Sequence, residues 1–205
     1  MNKIRFFKSE IENIKNENLQ RIVKTYLEEY VPEYFWIEGA SSSGYFHPPL
    51  SQGKGGLVRH TKAVCYFAEE LLRVAPYCEM TEEEQDFVRV ACIIHDTCKY
   101  GTGEYNKKEY KEHPTNAGDW FQECWQNTFL DSVMPEILWY GVASHMGQWG
   151  EFKPLSPIEM CVHLADYIAS RPAIEIPSIK EDYVNAVWND EEVIFYYGSE
   201  EKKNG

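Results

Sequence analysis

The chain has 205 residues and a formal charge of −13, from 20 Lys and Arg against 33 Asp and Glu. With 43% hydrophobic and 26% charged residues, its composition is that of a globular protein and excludes an intrinsically disordered one. The acidic balance argues against non-specific binding to long nucleic acid, which depends on a basic surface field. The length predicts one domain.

No segment is typical of a membrane span or a secretory leader. A span needs about 18 consecutive apolar residues, and no apolar run of this sequence approaches that length. The N-terminus lacks the apolar core of a signal peptide. The six cysteines are scattered and form no CxxC pair, a usage typical of reduced thiols. The sequence therefore predicts a cytoplasmic protein that does not associate with membranes.

Apolar residues recur at helical spacing in six segments along the chain. The first predicted helix spans 8–31 and ends at Pro32, and residues 36–56, rich in Gly, Ser and Pro, predict a loop. Capping-box signals begin two of the later helices, at Thr81 and at Ser156. These later predicted helices cover about 57–74, 81–101, 113 onward, 134–146 and 156–171.

The last part of the chain is harder to interpret. Residues 180–189 are compatible with a helix, and 193–197 (VIFYY) with a short strand or an apolar anchor. Nothing before residue 190 alternates with period two for long, so we predict an all-α fold. We expect a single domain over 1–205. Its parts are a core at about 44–172, a helical N-terminal extension at 8–31 and an irregular C-terminal tail at 173–205.

Histidine and aspartate side chains occur in five successive predicted helices, and helix bundles build metal sites from side chains that converge between facing helices. Imidazole together with carboxylate suits Mn, Fe, Zn, Ni or Co, and Mg is also compatible. The pattern therefore predicts a metal site in the core. Its candidate ligands are His60, His95, Asp96, His113, His145 and Asp166.

Asp96 is the natural candidate for a carboxylate shared by two ions. Two ions held close together need at least one bridging carboxylate, and the neighbouring His95 can bind one ion while Asp96 spans both. Asp166 is informative in another way, because it lies among apolar residues. A buried carboxylate is costly unless it is paired or bound to a metal.

The order His … His-Asp … His … His … Asp resembles the HD superfamily of metal-dependent phosphohydrolases over about residues 44–172. Its local sequences GGLVRHT, HDTCKYG and HLADYIASRP are similar to the superfamily's first-histidine helix, its HD-x-x-K turn and its terminal-aspartate helix. The resemblance implies an HD-domain bundle of about six to eight helices with two divalent metal ions. It assigns His60, His95, Asp96 and Asp166 to one ion, and Asp96, His113 and His145 to the second. Members that lack the middle two histidines bind a single ion.

Within the superfamily, FHPPLSQGKGGLVRHT, SHMGQWG and HLADYIASR most resemble the HD domain of bacterial 3′–5′ exoribonucleases. Those enzymes usually carry an N-terminal OB-type domain that binds nucleic acid, whereas only about 40 residues precede the motifs here. We therefore expect a nucleotide, a cyclic nucleotide or a short oligonucleotide as the substrate, and no long nucleic acid.

Basic residues and the remaining histidines near the motifs are candidates for substrate contacts. Lys99 is the first choice for a phosphate contact and, with Asp96, for a catalytic role; a salt bridge to a metal-binding carboxylate is its alternative. His163 lies three residues before Asp166, on the same helical face. The other predicted contacts are His47, Arg59 and Arg171, and the aromatic residues that could stack a base are Trp36, Tyr45, Phe46 and Trp149.

These observations lead to the hypothesis of a metal-dependent phosphohydrolase, a monoesterase or a diesterase, that uses a metal-activated water. Two alternatives remain open. One is a diiron oxygenase, because a minority of this fold with the same six-ligand pattern cleaves C–C or C–P bonds with O₂. The other is a degenerate HD module that binds a nucleotide without turnover. The sequence leaves the native metal, the exact ester and the oligomeric state open.

Overall fold

The computed structural model describes residues 3–41, 46–130, 132–174 and 176. These residues form helices and connections without a strand, which confirms the predicted all-α class. The predicted segments 180–189 and 193–197, and Tyr45, lie outside the described residues. Within the described ranges there are seven α-helices, namely α1 (Lys8–Asn13), α2 (Glu17–Thr25), α3 (Gly56–Leu71), α4 (Glu82–Ile94), α5 (His113–Thr128), α6 (Glu136–Ala143) and α7 (Pro157–Ala169).

Helix α4 lies at the centre of the bundle. It packs against α3, α6 and α7, while α5 packs against α6. Its apolar residues Val90, Ile93 and Ile94 are fully buried and belong to one core that also includes Ile11 of the N-terminal extension. None of the described helices is long and apolar enough to cross a membrane. The packing brings five helices, α3 to α7, to a common interior.

The N-terminal extension is not the single helix predicted over 8–31. It contains α1, a break at 14–16, α2 and one π-helical turn at Tyr26–Tyr30. The Asp86 carboxylate in α4 causes the break, since it accepts hydrogen bonds from the backbone nitrogens of Lys15 and Asn16 at 2.8–3.0 Å. The side chain of Asn16 then caps α2. Hydrogen bonds to Asp86, a residue distant in sequence, thus interrupt a segment whose apolar pattern predicts one continuous helix.

Helix α4 ends earlier than predicted, at Ile94 and not near Gly101. The capping box that begins it, Thr81 with Glu84, is present as expected. Residues 95–100 form successive turns, in which the Thr97 hydroxyl bonds to the Ile94 carbonyl at 2.7 Å. Gly101 has φ +99°, a conformation that favours glycine. His95 and Asp96 therefore lie in a tight turn that aims both side chains into the core.

Two tyrosines, one in the N-terminal extension and one just after it, hold this turn. Tyr26 shares a hydrogen bond of 2.8 Å with the Thr97 hydroxyl. Tyr34 donates to the Gly101 carbonyl at 2.6 Å and accepts from the backbone nitrogen of Tyr100 at 2.9 Å. The extension thus supports the backbone that carries His95 and Asp96, a role that the sequence pattern did not indicate.

The last two helices begin and end close to the predicted limits. Helix α6 covers Glu136–Ala143 and not 134–146, so His145 lies in the turn after it. Helix α7 begins as predicted, with the Ser156 hydroxyl accepting from the backbone nitrogen of Glu159 and with Pro157 in its first turn. Asp166 is three residues before its end.

Candidate metal centre

The six predicted ligand residues converge on one place in the core. His60 comes from α3, His95 and Asp96 from the turn after α4, and His113 from the first position of α5. His145 follows α6, and Asp166 belongs to α7. Their ligand atoms form two groups, each within 4.8 Å. The first group is His60, His95 and Asp166, and the second is Asp96, His113 and His145.

The first group is arranged around the Nε2 atom of His60. This atom lies 3.1 Å from Asp166 Oδ1 and 3.3 Å from His95 Nε2. The Oδ2 atom of Asp96 is also near, at 3.5 Å from His60 Nε2 and 3.7 Å from His95 Nε2. The four residues predicted to bind one ion, His60, His95, Asp96 and Asp166, therefore lie close to one another.

The second group uses the other oxygen of the same aspartate. Asp96 Oδ1 lies 3.1 Å from His113 Nε2 and 3.7 Å from His145 Nε2, and these two nitrogens are 3.0 Å apart. Asp96 is almost completely buried. It thus presents one oxygen to each group, which is the arrangement that a bridging carboxylate needs.

Backbone hydrogen bonds fix the ring orientation of three histidines. In His95, His113 and His145 the Nδ1 atom faces a carbonyl oxygen three residues earlier. A carbonyl can only accept, so Nδ1 carries the proton and, in the neutral ring, Nε2 keeps its lone pair for a ligand. The acceptors are the carbonyls of Cys92 at 2.8 Å, Tyr110 at 2.5 Å and Val142 at 2.7 Å.

The two groups fit divalent metal ions. The Nε2 lone pairs of His113 and His145 face each other at 3.0 Å, an arrangement that a cation stabilises and that is unfavourable without one. Among the described residues, the buried atoms Asp96 Oδ1 and His60 Nδ1 have no hydrogen-bond partner. Buried polar atoms without a partner are rare in native proteins. Imidazole and carboxylate donors in this mixture suit transition metals.

Four of the candidate ligands, His95, His145, Asp96 and Asp166, have the ionisation states that metal binding requires. Burial lowers the pKa of His145 to about 3, and it also lowers the pKa of His95, so both rings are neutral at pH 7. Burial alone would raise the pKa of Asp96, but the Lys99 ammonium together with the adjacent His95 and His113 outweighs it and holds that pKa well below its ordinary value. For Asp166, the hydrogen bond with His60 and the neighbouring His145 and His95 together outweigh burial and lower the pKa. The two carboxylates are therefore charged, and the His95 and His145 imidazoles are neutral.

Lys99 pairs with the shared carboxylate. Its Nζ donates to Asp96 Oδ2 at 2.5 Å, and the side chain is only 9% exposed. This salt bridge is the alternative considered for Lys99 from the sequence. The same side chain also reaches the wall of the adjacent cavity, so a phosphate contact stays compatible with it.

A cavity of about 340 Å³ lies directly beside the two groups. It reaches Asp96, His113, His145 and Asp166 at its floor. Four of the predicted substrate contacts line its walls, namely His47, Lys99, His163 and Arg171. The sequence therefore predicted most of the polar side chains of the cavity.

His47 comes from the loop before α3 and is 8% exposed. Its ring packs edge-on against that of His60, with centroids 4.7 Å apart. Its Nδ1 is buried and has no hydrogen-bond partner among the described residues. Burial and the neighbouring His60 lower the pKa of His47 to about 2, so the ring is neutral.

Arg59 is the predicted substrate contact that the structure does not bring to this cavity. It is nearly completely buried, and its guanidinium donates to the carbonyl oxygens of Leu50 and Lys54. Adjacent residues on a helix point about 100° apart, so Arg59 faces away while His60 faces the two His/Asp groups. Its observed contacts hold the loop that carries His47. Trp36 is likewise away from the cavity, fully buried against Phe6 with ring centroids 5.3 Å apart.

The rim of the cavity has aromatic side chains that the sequence identified only in part. Phe46 and Trp149, both predicted, line it and are exposed. Tyr110 and Tyr167 also line it and were not singled out. Tyr167 directly follows the candidate ligand Asp166 in α7. This position next to a candidate ligand is the sequence signal that could have identified it.

Gly147 fixes the turn that follows His145. It has φ +55°, and a Cβ added to it would lie 2.2 Å from the His163 ring. That ring is held by a hydrogen bond of 2.7 Å between His163 Nδ1 and the carbonyl oxygen of His145. Glycine is therefore required here both by the backbone conformation and by the close approach of the imidazole.

Replacing Gly147 with alanine is expected to lower the free energy of unfolding by about 1–2 kcal/mol, because of the left-handed conformation and the displaced His163 ring. Thermal and urea denaturation measure this effect. Gly103→Ala is the matched control, since nothing lies within 4 Å of its added Cβ. Equal stability of the two variants would contradict the role of Gly147.

Comparison with protein families finds that the family described as "HD domain" matches residues 57–171, more than half of the 205-residue chain. The matched range includes all six residues of the two groups. Neither a curated protein nor a solved structure matches the chain. The match is to the domain as a whole and lends no support to the predicted resemblance to exoribonucleases.

Proposed function

The chain belongs to the HD-domain family, and from this premise we propose that it is a metal-dependent phosphohydrolase acting on a nucleotide, a cyclic nucleotide or a short oligonucleotide. One observation carries the proposal. Asp96 presents one carboxylate oxygen to each of two His/Asp groups, beside a cavity of about 340 Å³. Sites that hold two ions around a shared ligand are typical of phosphoester hydrolysis.

Two ions are proposed to be held by the two groups. His60, His95 and Asp166 with Asp96 Oδ2 would hold one, and His113 and His145 with Asp96 Oδ1 the other. When bound, such ions supply a water of lowered pKa and positive charge for a phosphoryl oxygen. The donor set is compatible with Mn, Fe, Co, Ni or Zn, and also with Mg.

The side chains of the chain itself would bind and orient the ester. The Lys99 ammonium has three donors and uses one on Asp96, which leaves donors for a phosphate oxygen. This placement supports the catalytic role assigned to Lys99 and Asp96. His47, His163 and Arg171 also line the cavity and are proposed to contact the substrate. Phosphoryl transfer depends mainly on such positioning and on electrostatic stabilisation.

The volume of the cavity and the net charge of the protein favour a small substrate. Ligand pockets commonly have volumes of about 300–1,000 Å³, and the 340 Å³ of this cavity is near the lower limit. The net charge of −13 disfavours long, non-specific contacts with nucleic acid. Both observations support a single nucleotide unit at the metal centre.

Hydrolysis of bis-p-nitrophenyl phosphate without oxygen tests the proposal. We expect turnover after loading with Mn, Co, Ni or Mg. Chelation should lower the turnover at least 100-fold, because the His and Asp side chains of the two groups cannot replace a metal ion as the Lewis acid. No hydrolysis with any of these metals, together with O₂ consumption by the Fe form, would favour the oxygenase. A protein that cannot be loaded with stoichiometric metal would favour a module that binds without turnover.

A further inference from the structure

Three side chains at the mouth of the cavity form a layered stack. The rings of Trp149 and Tyr167 are parallel within 4°, with centroids 5.8 Å apart. The Arg171 guanidinium lies over the Tyr167 ring at 4.1 Å from its centroid. All three line the cavity, and Trp149 remains 58% exposed. A flat aromatic surface is therefore open beside the metal centre.

The turn that carries Trp149 is held in place before any ligand arrives. Lys153 Nζ donates to three carbonyl oxygens of this turn, those of Gly147, Gln148 and Gly150, at 2.6–3.3 Å. At the start of the turn, the backbone of Gly147 packs closely against the His163 ring. Holding a binding surface rigid reduces the entropy lost on binding.

The stack is also connected to the metal centre through the backbone. Trp149 is four residues after His145, and Tyr167 and Arg171 follow Asp166 along α7 and just beyond its end. The distance from the metal centre to the stack is therefore set by two short segments, residues 145–149 and 166–171. A phosphoester with a planar group at its other end has the chemistry that matches both places.

We propose that the Trp149–Tyr167–Arg171 stack binds the base of the substrate and so selects nucleotides over phosphoesters without a planar group; this inference rests on the proposed function. A large ring that is more than half exposed gains from being covered by another ring, and stacking tolerates every base because each has a π-face. Arg171 adds a positive charge at the same edge, where a second phosphate or a polarised base edge would be favoured.

The experiment compares two ligands that differ only in the base, adenosine 5′-monophosphate and ribose 5-phosphate. Both are titrated calorimetrically into the full chain, as purified and after loading with Mn²⁺. We expect the wild-type protein to bind the nucleotide at least about tenfold more tightly. The preference should disappear in Trp149→Ala and persist in Trp149→Phe, which keeps a ring.

Two further variants separate the stack from general effects. Leu155→Ala removes an exposed apolar side chain of the same segment that does not line the cavity, and it should keep the full preference. Lys153→Met frees the turn that carries Trp149 and should weaken the preference while leaving binding of ribose 5-phosphate unchanged. Equal binding of the two ligands by the wild type, or a preference that survives Trp149→Ala, would overturn the inference.

The result is distinguishable from a failure of the proposed function. Turnover of bis-p-nitrophenyl phosphate without any preference for the nucleotide overturns the base-binding stack alone. A preference that depends on Trp149, in a protein that hydrolyses no phosphoester, overturns the hydrolase and supports the base-binding stack.

Discussion

An Asp96→Ala protein is expected to lose phosphoester hydrolysis by about three orders of magnitude or more, together with both metal ions. The reason is the position of the carboxylate, whose two oxygens lie 3.1–3.7 Å from the nitrogens of both histidine pairs. Removing it takes a ligand from each group at once. Metal content after reloading, and hydrolysis measured on the same sample, check the two effects.

The same substitution also affects the folded protein without metal, and this effect needs its own control. Lys99 is paired with Asp96 at 2.5 Å and is nearly buried, so alanine leaves an unpaired buried ammonium. Breaking a buried pair in this way costs about 3–5 kcal/mol. Asp96→Asn keeps the size of the side chain, and the double variant Asp96→Asn with Lys99→Met removes both charges.

Circular dichroism and thermal denaturation decide whether these variants are folded. We expect native helicity in at least the double variant, with no metal bound and no activity. A folded Asp96 variant that keeps both its metal and its turnover would show that the carboxylate does not bridge two ions.

His113→Ala and His145→Ala are expected to reduce the metal content from two ions to one. Each histidine belongs to the second group alone, with Nε2 atoms 3.1 and 3.7 Å from Asp96 Oδ1. The first group keeps His60, His95, Asp166 and the Oδ2 atom of Asp96, and this complete set retains one ion. Loss of the second ion removes charge stabilisation at the phosphate, so turnover should fall by about 100-fold or more.

His163→Gln is the matched control for these two variants. His163 lines the same cavity and contacts the His145 carbonyl, but belongs to neither group. The His163→Gln protein should keep two ions, and any loss of activity should come from a higher KM and not from a lower kcat. Two ions in His113→Ala, or one ion in the wild type, would contradict a second site built by this pair.

The residues of the candidate metal centre were predictable because each is a His or Asp within or directly beside an apolar helical segment. Asp166 among apolar neighbours and the His95–Asp96 pair after an apolar run are polar side chains that a core tolerates only with a partner. The sequence could not give the direction of the His95, His113 and His145 imidazoles, because that direction is set by the carbonyls of Cys92, Tyr110 and Val142.

The elements around the centre were less predictable, since distant contacts decide them. The break at residues 14–16 depends on Asp86, which is some seventy residues away. The early end of α4 depends on local turns supported by Tyr26 and Tyr34. Arg59 was placed at the substrate because it is next to His60, although the helix turns it toward the Leu50 carbonyl. Proximity in sequence to a ligand does not give the face on which a residue lies.

Anomalous diffraction from crystals of the Mn²⁺-loaded protein tests the binuclear centre most directly. The expected result is two anomalous peaks separated by about 3.5–4 Å, one among His60, His95 and Asp166 and one beside His113 and His145, with Asp96 between them. A single peak, or none near Asp96, would contradict a two-metal centre in this protein.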